Sequence, residues 1–177
     1  MLLLDQIIYL IIEDIAQYIF HRALHYPYFY KWIHKEHHVN TAPFALAASH
    51  AHWMEILILG FCTFLGPLVW QSHLLSFFIW INVRQLDAVK THCGWVFPYD
   101  PCHLVPGYGG TLFHDYHHKA FNHNYASRFI IIDYVLGTYK IPANPLEMSA
   151  EEYAKKLKAV TVKDPYLEKP ENSKTKK

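Results

Sequence analysis

The sequence lacks several motifs by which enzymes are often identified. It contains no P-loop and no GxGxxG run, so nucleotide binding is not indicated. It contains no HExxH run, which argues against a zinc protease, and no Glu-x-x-His pair, which disfavours the soluble carboxylate-rich di-iron enzymes. Any redox chemistry in this chain would therefore draw its electrons from a partner protein.

The chain also has few cysteines and a net charge close to zero. The three cysteines are an odd number without CxxC spacing, which indicates free thiols on a reducing side rather than a disulfide framework. The net charge of +1 gives no indication of nucleic-acid binding. No secretory signal is evident, because the N-terminus has no basic region and Asp5, Glu13 and Asp14 interrupt its apolar run.

Apolar residues, in contrast, are abundant, at 52% of a chain whose length of 177 residues suggests one domain. Residues 56–83 are 28 consecutive positions without Asp, Glu, Lys or Arg. A single membrane span needs about 20 residues, so a helical hairpin at about 54–84, turning near 66–73, fits better. Basic residues precede and follow it, which places both ends on the cytosolic side. The alternative is a buried hairpin in the core of a soluble protein.

The remaining segments complete an all-α prediction. Residues 1–20 form a plausible membrane-embedded or interfacial helix, in which Glu13, Asp14 and Gln17 either support nearby histidines or make a solvated polar face. Residues 143–177 are expected to form a polar helix and a disordered tail, after a first domain at 1–142. The prediction is a membrane-embedded helical bundle with a histidine-rich, di-metal catalytic cap facing the cytosol.

Histidine carries the strongest functional signal, in three boxes spaced HxxxH, HxxHH and HxxHH. Residues three or four apart share one face of a helix, so each box can present several imidazoles together. Eight imidazoles exceed what one four-coordinate zinc can use, which favours a two-metal site. Chance packing or a pH-sensing cluster would not need the repeated spacing. The boxes are His21 and His25; His34, His37 and His38; and His114, His117 and His118.

Two other segments are expected to support the site. Among His50, His52 and Glu55, one could act as a further ligand or as a partner of a ligand. The irregular residues 93–110 could form part of a substrate mouth. A two-metal site beside a membrane suggests lipid oxidation, because an unactivated C–H bond needs an oxidant derived from dioxygen, which iron supplies. Histidine suits both iron and zinc, so the metal stays open.

Six stretches carry a family resemblance over residues 20–138. They are H-R-A-L-H, Y-K-W-I-H-K-E-H-H, A-P-F-A-L-A-A-S-H-A-H-W-M-E-I-L-I-L-G, H-C-G-W-V-F-P, G-G-T-L-F-H-D-Y-H-H, and N-Y-A-S-R-F followed by D-Y-V-L-G-T. In order and spacing they resemble the fatty acid hydroxylase superfamily of membrane di-iron oxygenases. Within it the sequence is most similar to the sterol C-4 methyl oxidases.

The resemblance implies three successive oxidations of a sterol 4-methyl group by dioxygen at a di-iron centre. Electrons would come from NAD(P)H through cytochrome b5 and its reductase at the endoplasmic reticulum membrane, alongside other enzymes of sterol C-4 demethylation. No catalytic residue is implied beyond the metal ligands, and His103 falls where the pattern has no fixed histidine. The implied ligands are the eight histidines of the boxes together with His92.

Some positions depart from the resemblance. Asp87 stands where sterol oxidases tend to have glutamate, Trp95 replaces a usual tyrosine, and Trp53 stands where proline is common. Members also usually carry another membrane-spanning region before the first box, and this chain begins just short of it. These differences bear on the substrate more than on the chemistry. A sterol C-5 desaturase, another lipid hydroxylase, an aldehyde-converting enzyme and a non-catalytic metal-binding subunit remain alternatives.

Overall fold

The computed structural model describes residues 1–41, 43–71 and 73–140, and the regular secondary structure of these residues is helical. It contains no strand there, only one antiparallel bridge between Tyr108 and Phe129. The all-α prediction is confirmed for these residues, whereas the polar helix and tail predicted at 143–177 lie outside them. The α-helices are α1 (Leu2–Leu24), α2 (Pro27–Trp32), α3 (Trp53–Val69), α4 (Leu74–His92), α5 (Gly110–Ala120) and α6 (Ile130–Val135), with short 3₁₀ helices at His34–Val39, Ala45–Ser49 and Pro101–Leu104.

Helices α1 and α3 pack against each other, and Gly66 sets how closely they approach. A Cβ at position 66 would lie 2.7 Å from the Cα of Tyr9 in α1. That distance is shorter than any normal van der Waals contact, so only glycine fits at this crossing. The predicted helical hairpin is present as α3 and α4, and α4 continues through residues 84–91 to His92 without a break.

The turn of the hairpin lies between Val69 and Leu74, inside the predicted range 66–73, and Pro67 still belongs to α3. Proline has no backbone N–H, so the helix loses the bond that residue 67 would donate to the carbonyl of Thr63. The indole N–H of Trp80 in α4 donates to that carbonyl instead, at 2.8 Å. The replacement bond lets α3 continue to Val69 and also holds α4 against it.

The start of α1 is tied to the turn of the hairpin through one buried carboxylate. Asp5 accepts hydrogen bonds from the indole of Trp70 at 3.1 Å and from the hydroxyl of Ser76 at 2.7 Å. Both bonds favour the ionised carboxylate and hold the pKa of Asp5 below its usual range. These contacts orient α1, α3 and α4 as one three-helix unit.

The outer faces of these three helices are apolar and exposed. On α1 the exposed side chains recur every four residues, which is the spacing of a single helical face. No helix in the described ranges combines the length and the apolar character that crossing a membrane requires. The exposed side chains include Leu3, Ile7, Ile11, Ile15 and Ile19 on α1, Leu57, Phe61 and Leu68 on α3, and Leu75, Phe78 and Leu86 on α4.

Candidate metal centre

The first histidine box lies at the carboxyl end of α1. His21 is in the last turn of the helix, and His25 follows immediately after it. Pro27 prevents the helix from continuing, as the sequence predicted, and starts the short helix α2 instead. The four-residue spacing places both imidazoles on the same side of the chain, facing the second and third boxes.

The second box forms a 3₁₀ helix rather than the α-helix that would give the predicted shared face. His34, His37 and His38 lie in the segment His34–Val39 and are all buried. The third box lies on α5, where His114 and His118 are four residues apart and share a face. His92, which the family resemblance added to the set, ends α4.

The fold brings all nine predicted histidines together, and they divide into two groups. Within each group, one ring nitrogen from every member lies within 4.8 Å of those of the others. The division cuts across the boxes, because the second and third boxes each contribute to both groups. The five-histidine group contains His21, His25, His34, His38 and His117, and the four-histidine group contains His37, His92, His114 and His118.

His34 is the centre of the five-histidine group. Its Nε2 lies 3.1 Å from Nε2 of His21, 2.9 Å from that of His25 and 3.0 Å from that of His38. Four imidazole nitrogens meeting at these distances cannot all hydrogen-bond to one another, because a neutral imidazole has one donor and one acceptor nitrogen. The arrangement matches ligands pointing at a common cation.

Backbone carbonyls decide which nitrogen of several imidazoles carries the proton. Nδ1 of His21 lies 2.7 Å from the carbonyl oxygen of Tyr125, and Nδ1 of His117 lies 2.7 Å from that of His123. In the four-histidine group, Nδ1 of His92 lies 2.7 Å from the carbonyl oxygen of Ala88. A carbonyl oxygen can only accept, so each Nδ1 holds the proton and each Nε2 presents a lone pair, as metal-binding histidines require.

The donor set therefore fits two metal ions. Lone pairs that face each other in a buried space repel unless a cation lies between them. Eight of the nine side chains are buried and His25 is half-buried, so water cannot readily screen that repulsion. Burial also disfavours the charged imidazolium and lowers the pKa of His37 to about 4 and that of His92 to about 3. Neutral imidazoles are the form that binds a metal.

The three remaining histidines considered from the sequence lie outside both groups. The carbonyl of His50, not its side chain, contacts Nδ1 of His37 at 3.2 Å. The side chain of His52 accepts from the backbone N–H of Met54 and caps α3. His103 lies in the 3₁₀ helix Pro101–Leu104.

Glu55 is the residue near position 50 whose side chain lies against a histidine of the two groups, so its predicted supporting role stays a prediction. Its Oε2 lies 2.9 Å from Nδ1 of His34, and both side chains are buried. The carboxylate belongs to the first turn of α3, so this helix contributes directly to the site.

Both predictions for the polar residues of α1 are wrong. Glu13, Asp14 and Gln17 are buried, so they form no solvated face, and their hydrogen bonds are with groups other than histidine. Glu13 accepts from Nε of Arg84 at 2.6 Å, and Asp14 accepts from the backbone N–H of Arg128 at 2.8 Å. Glu13 and Asp14 thus serve as acceptors for guanidinium and backbone donors, whereas Gln17 donates to the backbone carbonyl of Leu59 in α3.

Asp133 shapes the segment that carries the carbonyl of Tyr125, a role not predicted from the sequence. Its carboxylate accepts from the backbone N–H groups of Tyr125 and Ala126 at 2.9 and 2.7 Å, and from the hydroxyl of Thr138 at 2.6 Å. The sequence does contain a signal for this role, because Asp133 is an acidic residue inside the apolar run 129–136. A carboxylate buried in such a run requires hydrogen-bond partners.

A cavity of about 360 Å³ adjoins the histidines. His37, His92 and His114, all from the four-histidine group, lie on its wall. From the five-histidine group only His21 reaches it. The loop 93–110, Asp87, Trp95 and Trp53 do not line this cavity, and a substrate mouth at the loop stays a prediction. Its other walls are mainly apolar and include Ile56, Leu59, Phe64, Ile81 and Ala88.

Comparison with known proteins places these features in a family. The family model for fatty acid hydroxylase matches residues 6–138. Methylsterol monooxygenase 1-1 of Arabidopsis thaliana is 41% identical over 158 residues, covering 86% of this chain and 53% of the relative. A very-long-chain aldehyde decarbonylase of Oryza sativa subsp. japonica is 43% identical over 137 residues, covering 76% of this chain and 46% of the relative.

The matched region contains every histidine of both groups. The chain spans about half the length of the relatives that it matches. No solved structure matches it significantly. By the extent of the family match, the chain belongs to the fatty acid hydroxylase family.

Proposed function

We propose that this chain is the metal-binding catalytic part of a lipid oxidoreductase of the methylsterol monooxygenase type. It would use two iron ions and dioxygen to oxidise the C-4 methyl group of sterol precursors. The observation that carries the proposal is the meeting of nine imidazoles in two groups beside one cavity with mainly apolar walls. The names of the relatives from Arabidopsis thaliana support the choice of sterols.

In this proposal the five-histidine group and the four-histidine group would each hold one metal ion. Histidine chemistry suits iron and zinc alike, so the choice of iron rests on the oxidative chemistry expected of the family. A bound iron pair supplies the capacity to activate dioxygen for attack on an unactivated C–H bond. The chain contributes neutral ligands, and its backbone carbonyls hold them in the metal-binding tautomer.

The cavity would hold the substrate. Its volume of about 360 Å³ falls within the ordinary range for small-molecule sites. The apolar side chains of Leu59, Phe64 and Ile81 would exclude water and pack against a hydrocarbon skeleton. His37, His92 and His114 on the wall make the four-histidine group the side that the substrate approaches.

Lipid access and electron supply complete the proposal. The exposed apolar faces of α1, α3 and α4 would contact a bilayer, which we place at the endoplasmic reticulum with the histidines facing the cytosol. The described region has no nucleotide-binding motif, so electrons from NAD(P)H would arrive through cytochrome b5 and its reductase. Other sterol C-4 demethylation enzymes would act on the product.

A second candidate keeps the metal site and changes the substrate. Relatives from Oryza sativa are named very-long-chain aldehyde decarbonylases and are 43% identical, about as similar as the methylsterol monooxygenases. The same ligands and cavity could act on a long-chain aldehyde. The choice between the two substrates therefore requires a direct test.

The test supplies both substrates to the same preparation. The iron-loaded chain in lipid nanodiscs would receive cytochrome b5, its reductase and NADPH, with either a 4-methylsterol or a very-long-chain aldehyde. Mass spectrometry should find hydroxymethyl or carboxyl sterol, and His92→Ala should abolish it. Conversion of the aldehyde alone would favour the second candidate. No conversion of either lipid by a metal-loaded chain would contradict both and favour a non-catalytic metal-binding role.

A further inference from the structure

We infer that Glu55 is a positioning residue for the metal site: it fixes the ring of His34, and through it the geometry of the five-histidine group. This inference rests on the proposed metal binding and concerns one carboxylate within it. It assigns a role to α3, a helix that contributes no imidazole to either group.

His34 is the imidazole whose orientation matters most. Its Nε2 lies within about 3 Å of the Nε2 atoms of three other histidines, so a small rotation of this ring would disturb every one of those distances. The side chain is fully buried, so solvent cannot hold it in place. Its orientation must therefore be set by a protein group on the opposite nitrogen, Nδ1.

Glu55 is the group in that position. Its Oε2 lies 2.9 Å from Nδ1 of His34, and the carboxylate side chain is only 3% exposed. The two atoms are close enough for a hydrogen bond but do not form one in this geometry, and within the described residues both lack a hydrogen-bond partner. A small rotation of the His34 ring would let Nδ1–H donate to Oε2. A buried Nδ1–H and a buried carboxyl oxygen thus depend on each other.

The other buried carboxylates are engaged elsewhere. Glu13 contacts Arg84, Asp87 contacts Arg128, and Asp115 contacts Lys119. Asp14 and Asp133 accept from backbone N–H groups, and Asp5 accepts from Trp70 and Ser76. Neutral backbone carbonyls lie at Nδ1 of four other histidines, which are His21, His37, His92 and His117. Among these contacts, that of Glu55 is with an imidazole of the cluster, and an ionised carboxylate in this position would raise the basicity of His34 as a ligand.

The two substitutions at position 55 differ in what they keep. Glu55→Gln retains an oxygen that accepts from Nδ1 but removes the carboxylate. Glu55→Ala removes the acceptor altogether, so that the buried Nδ1–H cannot donate to position 55. Loss of a group that supports a metal-binding histidine typically weakens metal affinity by about 10- to 100-fold. We expect the iron affinity to fall by a factor in that range for Glu55→Ala and by a smaller factor for Glu55→Gln.

The experiment measures iron content, iron affinity and the Mössbauer spectrum of the full chain. Glu36→Ala is the matched control, because Glu36 is an exposed glutamate beside the second box. Circular dichroism would verify folding of each variant. We expect Glu55→Ala to change the spectrum of one iron and leave the other, with partial recovery in Glu55→Gln. Damage to the fold alone would alter both irons together and would overturn the inference.

Two outcomes separate this inference from the proposed function. If the wild-type chain binds no metal, the proposed metal site fails. If the wild-type chain binds two irons and Glu55→Ala binds both with unchanged affinity and spectrum, the proposed site stands and the role of Glu55 is wrong.

Discussion

His37 and His92 face each other with their Nε2 atoms 3.3 Å apart, while Nδ1 of each ring lies at a backbone carbonyl. One histidine comes from the second box and the other from the end of α4. Since both rings hold their proton on Nδ1, two lone pairs meet across this gap. Such a pair is stable in a buried site when a cation joins it.

The first prediction concerns the protonation of these two rings. Burial lowers the pKa of His37 to about 4 and that of His92 to about 3, so in the metal-free folded chain both rings should stay neutral from pH 7 down to about 5. Nitrogen-15 NMR of labelled histidine should show the Nδ1–H tautomer throughout this range. Protonation of both rings near pH 6.5, the value for an unperturbed histidine, would contradict the prediction.

The lowered pKa of His37 also determines how this residue's contribution to folding stability changes with pH. Unfolded His37 takes up a proton near pH 6.5, whereas folded His37 does so only near pH 4. The unfolded state therefore binds more protons between these values, and this group's contribution to folding is full above pH 6.5 and falls as the pH drops towards 4.

The second prediction tests the division into two groups. His92→Ala removes one of four imidazoles from the four-histidine group and leaves the five-histidine group complete. Iron content should fall from two ions per chain to one, as measured by elemental analysis. His103→Ala is the control, since His103 belongs to neither group, and it should retain both ions. Loss of both ions in His92→Ala would mean that the groups do not bind independently.

The third prediction uses two glycines of the same helix, α3. In Gly66→Ala the new Cβ meets the backbone of Tyr9, so α1 and α3 must separate, at a cost of about 1–3 kcal/mol in the free energy of unfolding. In Gly60→Ala nothing lies within 4 Å of the new Cβ, and helix propensity should add up to about 1 kcal/mol. Thermal unfolding in the same detergent would compare them. Equal melting temperatures would contradict the described packing of α1 on α3.

The fourth prediction concerns Asp133. Replacing it with alanine leaves the backbone N–H groups of Tyr125 and Ala126 buried without their acceptor, which should cost about 3 kcal/mol of stability. Because the carbonyl of Tyr125 contacts Nδ1 of His21, metal affinity should fall as well. Val135→Ala, an exposed position of the same helix, should change neither property. An unchanged melting temperature in Asp133→Ala would disprove this role.

The sequence predicted the parts of the site that depend on local spacing. The HxxxH and HxxHH patterns identified eight histidines, the family resemblance added His92, and Pro27 marked the end of α1. The turn predicted near 66–73 is confirmed between Val69 and Leu74. It begins after Pro67, because the indole of Trp80 compensates for the missing N–H of this proline across the hairpin. That compensation joins residues of different helices and leaves no local pattern.

The division of the histidines and their partners could not be predicted in this way. His37 and His38 are adjacent in sequence but belong to different groups, which depends on how α4 and α5 approach the second box. The partners of His21 and His117 are backbone carbonyls, and every residue has one, so the sequence contains no signal for them. Asp133 was detectable in principle as a lone acid within an apolar run.

The most direct test of the central claim is the metal content of the purified chain, measured by elemental analysis with a double variant for comparison. His37→Ala with His117→Ala removes one ligand from each group. The proposal predicts two iron ions per wild-type chain and a loss of both in the folded double variant. A folded wild-type chain that binds one metal ion or none after iron loading would contradict it.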